Sequence, residues 1–178
     1  MPLAADREVV RRIDTMPEQP TEEDLRKWHR RFAVEANNRA WTLSENGEVT
    51  TEEMSELLHA AHAAAHHWSK IGTAAQIAQA DLLLGRVHAL LCHGELAMKF
   101  ATAAFDSITS RDCAPWEVAF AHAILANAAA ASGNAQMHAL HYAEAKVLGE
   151  SLMDPQDKSL FLATFDLIPA PHPSRGTG

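Results

Sequence analysis

The chain has 178 residues, 47% of them hydrophobic and 21% charged, with 8 Gly and 8 Pro, a composition that fits one globular domain and excludes collagenous and low-complexity classes. Fifteen Lys+Arg against 23 Asp+Glu give a formal charge of −8, which argues against broad contact with nucleic-acid phosphates or an anionic membrane surface. Thirty-four alanines and 11 histidines stand against a single tyrosine, an inventory rich in the best helix former and poor in strand formers, so an all-α fold is expected.

Residues 1–20, ending in the proline-punctuated MPEQP, read as a loose N-terminal arm with one short helix over Asp6–Ile13. Its acids and bases interrupt the apolar run a signal peptide needs, no stretch is long and apolar enough to span a bilayer, and Cys92 and Cys113 make no disulfide framework. A cytoplasmic setting with a reducing, bacterial-type cytosol is the simplest expectation. Thr21 before Glu22, Glu23 and Asp24 predicts an N-cap with acids over the positive end of a helix running to Leu43. Asn46-Gly47 predicts the turn, and Thr50 or Thr51 the next cap, of a helix over 51–69 that buries Met54, Leu57, Leu58, Ala61, Ala65 and Trp68.

Gly72-Thr73 breaks that helix. Residues 74–93 carry apolar side chains almost all around the cylinder, which predicts a central helix, ended by Gly94. Helices follow at 95–109, at 115–131 with Pro115 in the first turn, at 135–149, and from Asp154-Pro155 through Ile168. The compact domain is thus 21–168, and 169–178 is expected to be a disordered tail.

Short turns between helices of this length predict stacked antiparallel helix hairpins. Two hairpins match a tetratricopeptide-like pattern, in which a small residue in the first helix admits alanines of the second. Leu84-Gly85, His88, Ala97, Ala101 and Ala104 form one copy; Leu125-Ala126, Ala129, His138, Tyr142 and Ala145 form the other, 41 residues on. The usual spacing is about 34, and the loop around Ser107–Pro115 is expected to absorb the surplus. An ordinary alanine-rich bundle is the competing architecture. The segments EANNRAWTL (35–43), AHAAAHHW (61–68), LLLGRVHALLCHGELAMKFA (82–101) and WEVAFAHAILANAAAASGN (116–134) resemble an uncharacterised bacterial family of tetratricopeptide-like helical proteins. That resemblance implies a right-handed superhelix of hairpins and no particular activity.

The chemistry-bearing residues are mainly histidines, nine of the 11 lying between His59 and His141. His59, His62 and His66 share a helical stripe, and Glu56 precedes His59 by three residues, half of a carboxylate-histidine metal motif. Asp81, Gly85, His88 and Cys92 share another face, with Asp81 and His88 expected to pair as buried polar groups and Cys92 to pack as a small core residue. Adjacent amides Asn37-Asn38 are costly inside a helix and are candidates to clamp a loop or contact a peptide. No phosphate loop, nucleophile elbow, zinc-protease helix or CxxC pair occurs. The expected function is a protein or peptide interaction module without a cofactor, with His59, His62, His66, His88, Asn37 and Asn38 as candidate contacts and self-association as a way to complete a short repeat stack. The alternative is a metal-binding protein or metalloenzyme using Glu56, His59, His62 and His66.

Overall fold

A computed structural model describes residues 19–45 and 50–171. The helix expected at Asp6–Ile13, the Asn46-Gly47 turn and the tail beyond residue 171 lie outside the described residues. Seven α-helices follow one another: α1 Glu22–Ser44, α2 Thr51–Ile71, α3 Ala74–Leu90, α4 Gly94–Thr109, α5 Pro115–Ala131, α6 Ala135–Ser151 and α7 Pro155–Phe165. No strand occurs among the described residues, and no helix is long and apolar enough to cross a membrane.

The starts are set by local chemistry. Thr21, Thr50 and Thr73 each accept a hydrogen bond from the backbone N–H three residues on, while the side chains of Asp24, Glu53 and Gln76 accept from the cap's own N–H. Each reciprocal pair satisfies two of the N–H groups a helix start leaves open. Asp154 caps α7 in the same sense, accepting from Gln156 and Asp157 N–H, with Pro155 in the first turn.

Packing is densest within α1/α2, α3/α4 and α5/α6, so the chain is a series of helix hairpins closed by α7. Beyond sequence neighbours, α1 packs on α3, α3 on α5 and α5 on α7, whereas α2, α4 and α6 stand further apart and meet through ring edges, His62 with Phe100 at 6.2 Å and Phe105 with His141 at 5.3 Å between centroids. The odd-numbered helices therefore share one face. Helix α3 packs on α1, α2, α4 and α5, which accounts for burial all around it. Gly85 sets the closest approach: a Cβ there would lie 3.1 Å from Ala101 Cβ, Ala101 N and Ile124 Cγ2, so a side chain would push α4 and α5 outward.

The hairpins α3/α4 and α5/α6 begin their helices 41 residues apart, Ala74 with Pro115 and Gly94 with Ala135. The connection from α4 to α5 is only residues 110–114, too short to hold the whole surplus over 34; the helices themselves, 17 and 16 residues long, take up the rest.

The turns inside these hairpins are the same motif. His93 N–H donates to the His88 carbonyl at 2.8 Å and Cys92 N–H to Ala89 at 3.1 Å; Asn134 donates to Ala129 at 2.9 Å and Gly133 to Ala130 at 3.1 Å. Both are Schellman turns, which need one residue in the left-handed region. The second uses Gly133 (φ 75°), but the first uses Cys92 (φ 58°), and its thiol is exposed. Two expectations change accordingly. Gly94 does not end α3; it opens α4, because Cys92 has already made the turn. Cys92 is not a core residue, since the left-handed backbone turns it out of the face it would occupy in a continuing helix.

A non-glycine residue in that conformation costs roughly 1–2 kcal/mol, part of which glycine returns through a freer unfolded chain. Replacing Cys92→Gly should raise stability by about 0.5–1 kcal/mol, and Gly133→Ala should lower it by a similar amount, since open space surrounds that position. Urea midpoints at unchanged slope test both shifts; a loss with Cys92→Gly contradicts the reading.

Candidate functional site

A cavity of about 360 Å³ opens on the shared face of α1, α3, α5 and α7. Its α1 wall carries Asn37, Asn38, Trp41 and Glu45, one stripe at helical spacing. Gln79 and Leu82 come from α3, Trp116 and Phe120 from α5, and Asp157, Leu160 and Thr164 from α7. The rings interlock: Phe120 meets Trp41 edge-on at 6.4 Å between centroids, Trp116 at 6.0 Å and Phe161 at 5.7 Å, so one α5 side chain joins α1 and α7. Edge-to-face contacts at these separations are favourable and leave rings little freedom.

Behind Trp41 lies a buried guanidinium. Arg86 is 0% exposed, with Nε donating to Ser44 Oγ and Nη2 to the Ser44 carbonyl, both at 2.9 Å, and its Cζ 5.5 Å from the Trp41 ring centroid. The Ser44 hydroxyl in turn donates to the Trp41 carbonyl at 2.9 Å. Among the described residues Nη1 has no partner. Burial pulls the arginine pKa down to about 10, against the attraction of Glu45, so the group stays charged at neutral pH. Arg86 fixes the wall from inside without lining the cavity.

The histidines lie elsewhere, paired across helices. His29 and His67 approach at 2.8 Å (Nδ1 to Nδ1), His62 and His88 at 3.2 Å (Nε2 to Nε2), His88 and His93 at 3.2 Å, and His122 and His141 at 3.1 Å. Each contact needs one ring to donate and the other to accept, so at least one must be neutral. His88 is the most enclosed, 2% exposed and stacked on Phe100 with 8° between ring planes. It is paired with His62 and His93 and not with Asp81, which lies seven residues, about 10 Å, away along the same helix. Burial drives the pKa of His88 down to about 4, with His62 and His93 adding repulsion, and holds His62, His67, His122 and His141 below the usual histidine range.

The sequence candidates therefore separate. Asn37 and Asn38 line the cavity; His59, His62, His66 and His88 do not. Glu56 is held by Arg39, whose Nε and Nη2 donate to its two carboxylate oxygens at 2.7 Å each. Among the described residues no three His, Cys, Asp or Glu side chains gather so as to hold a metal ion. Trp41, Trp116, Phe120 and Asp157 were not signalled by any motif; their stripes look like ordinary helix faces until four helices meet. No family model, no curated protein and no solved structure matches the chain.

The histidine pairs have a pH consequence. Unfolded histidines protonate near pH 6.5 and the buried folded ones only lower. Between the two values the unfolded chain binds more protons, so stability present above about pH 6.5 is lost as the pH falls toward the His88 value of about 4. His88→Phe keeps the stacked ring and removes the titration. The drop in urea midpoint from pH 7.5 to 5 should be smaller in this variant than in the parent, and an equal drop would contradict a role for His88.

Proposed function

We propose that the chain is a peptide-binding module of tetratricopeptide-like helix hairpins, which holds an extended segment of another protein on the face of α1, α3, α5 and α7. The observation that carries this reading is the convergence of Asn37 and Asn38 with Trp41, Trp116 and Phe120 around one cavity. A carboxamide both donates and accepts, which suits the alternating N–H and C=O groups of a peptide backbone. Aromatic side chains supply large apolar contact with few rotors to immobilise, the usual profile of binding hot spots. Two adjacent asparagines lower helix propensity in the middle of α1, a local cost that contact with a ligand explains.

The architecture supports the same reading. The odd-numbered helices pack closely in succession while the even-numbered ones stand further apart and meet through ring edges, as expected when hairpins stack into a superhelix with its first helices inside. The 41-residue offset between α3/α4 and α5/α6, with a Schellman turn at the same point of each, supports a repeat origin and the family resemblance. The metal reading has less behind it, because Glu56 is engaged by Arg39 and His62 by His88.

Selection from a random peptide library against the full chain tests the proposal. Enriched peptides should bind the parent and lose at least about tenfold in affinity, or 1.4 kcal/mol, to Trp116→Ala and to the double variant Asn37→Ala/Asn38→Ala, with thermal melts confirming that each folds. Peptides that bind these variants as well as the parent would place recognition elsewhere and overturn the reading.

A further inference from the structure

The peptide reading leaves the partner's chemistry open, and the charges around the cavity narrow it. Among the described residues, the only ionisable groups on its lining are two carboxylates, Glu45 at the C-cap of α1 and Asp157 in the first turn of α7. Neither forms an ion pair among the described residues. Two neighbouring cations are already engaged. Arg86 is sealed behind Trp41 with two donors on Ser44, and Lys158, next to Asp157, donates from Nζ to the Glu150 carbonyl at 2.9 Å. Arg86 offsets part of the Glu45 charge and the N-terminus of α7 part of that on Asp157, but among the described residues no cation lines the space itself.

The apolar lining points the same way. Two indoles and a phenyl ring line the space, and aromatic faces, the negative part of the ring quadrupole, combined with carboxylates are the setting in which a desolvated cation gains most. The methylene stem of a lysine or arginine packs on such rings while its head stays with the acids.

Building on the peptide-binding reading, we infer that the groove takes a lysine or arginine side chain from a basic segment of another protein. The charged head is directed to Glu45 and Asp157, the stem lies against Trp41, Trp116 and Phe120, and Asn37 and Asn38 hold the adjoining main chain. The formal charge of −8 on the whole chain steers such a segment inward at low ionic strength. Recognition is therefore selective by charge at one position of the peptide and permissive at its neighbours.

Fluorescein-labelled peptides of one apolar sequence, differing only in a central Arg, Lys, Gln or Glu, test this by anisotropy with the full chain. The Arg and Lys peptides should bind about tenfold more tightly than the Gln peptide, the Glu peptide most weakly, and the preference should shrink as salt is added. Glu45→Gln/Asp157→Asn should bring the Arg, Lys and Gln peptides to about the same affinity, and Glu45→Gln alone, which leaves the first turn of α7 as it is, should remove part of the preference. Equal binding of the Arg, Lys and Gln peptides, or tighter binding of the Glu peptide, overturns the charge assignment while peptide binding itself stands. If no peptide of any charge binds, and library selection also yields none, the peptide reading fails with it.

Discussion

A charged guanidinium that forms no ion pair among the described residues, with Glu45 acting on it only through space, sits at the junction of α1 and α3. Burying such a group is costly, and the site offsets that cost with two charge-assisted hydrogen bonds to Ser44 and the face of Trp41. One acceptor is a main-chain carbonyl in the last turn of α1, where the helix dipole is negative and α1 supplies no basic side chain of its own. Arg86 thus provides from α3 the cation that the end of α1 lacks. The same contact positions Trp41, and through its edge-on meeting with Phe120 it reaches α5 and then Phe161 of α7. The wall of the cavity and the stacking of the hairpins share this anchor.

Small residues do the remaining work of bringing helices together. Ala97, Ala101, Ala104, Ala121, Ala128 and Ala145 are all fully buried, and Gly85 lets α3 come within van der Waals distance of α4 and α5 at once. Helices this close leave no room for large side chains at the crossings. Bulky side chains such as Leu83, Ile108 and Ile124 fill the spaces beside those crossings, so the core alternates small residues at the closest approaches with large ones between them.

What was legible in the sequence was local. Thr21, Thr50 and Asp154 cap, and Pro115 opens, the helices they announce, because those signals act within four residues. The end of α3 was misjudged because a glycine stood two residues beyond a turn that Cys92 makes at some strain. Arg86 was invisible, since a lone arginine among leucines on α3 reads as a solvated interruption until Ser44 of another helix is seen beneath it. Of the candidate contacts, Asn37 and Asn38 could be picked out by their cost to the helix, whereas Trp116 and Phe120 come from α5, so the stripe on α1 reveals only part of the wall. Of the stripe His59, His62 and His66, His62 is the member that enters a ring-to-ring hydrogen bond, with His88 of α3, a pairing between helices that spacing along one helix does not reveal.

The account divides the molecule into a histidine-paired side, which governs how stability responds to acid, and an aromatic, amide-lined face that engages a partner. The four tryptophans report on that division directly, since Trp41 and Trp116 line the cavity, Trp68 is buried against Ala33 and Ala80, and Trp28 lies outside it. In nitrogen-15-labelled protein, titration with a groove-binding peptide should shift the indole N–H signals of Trp41 and Trp116 and leave those of Trp28 and Trp68 in place. Movement of Trp28 or Trp68 with Trp41 and Trp116 unchanged would contradict the account.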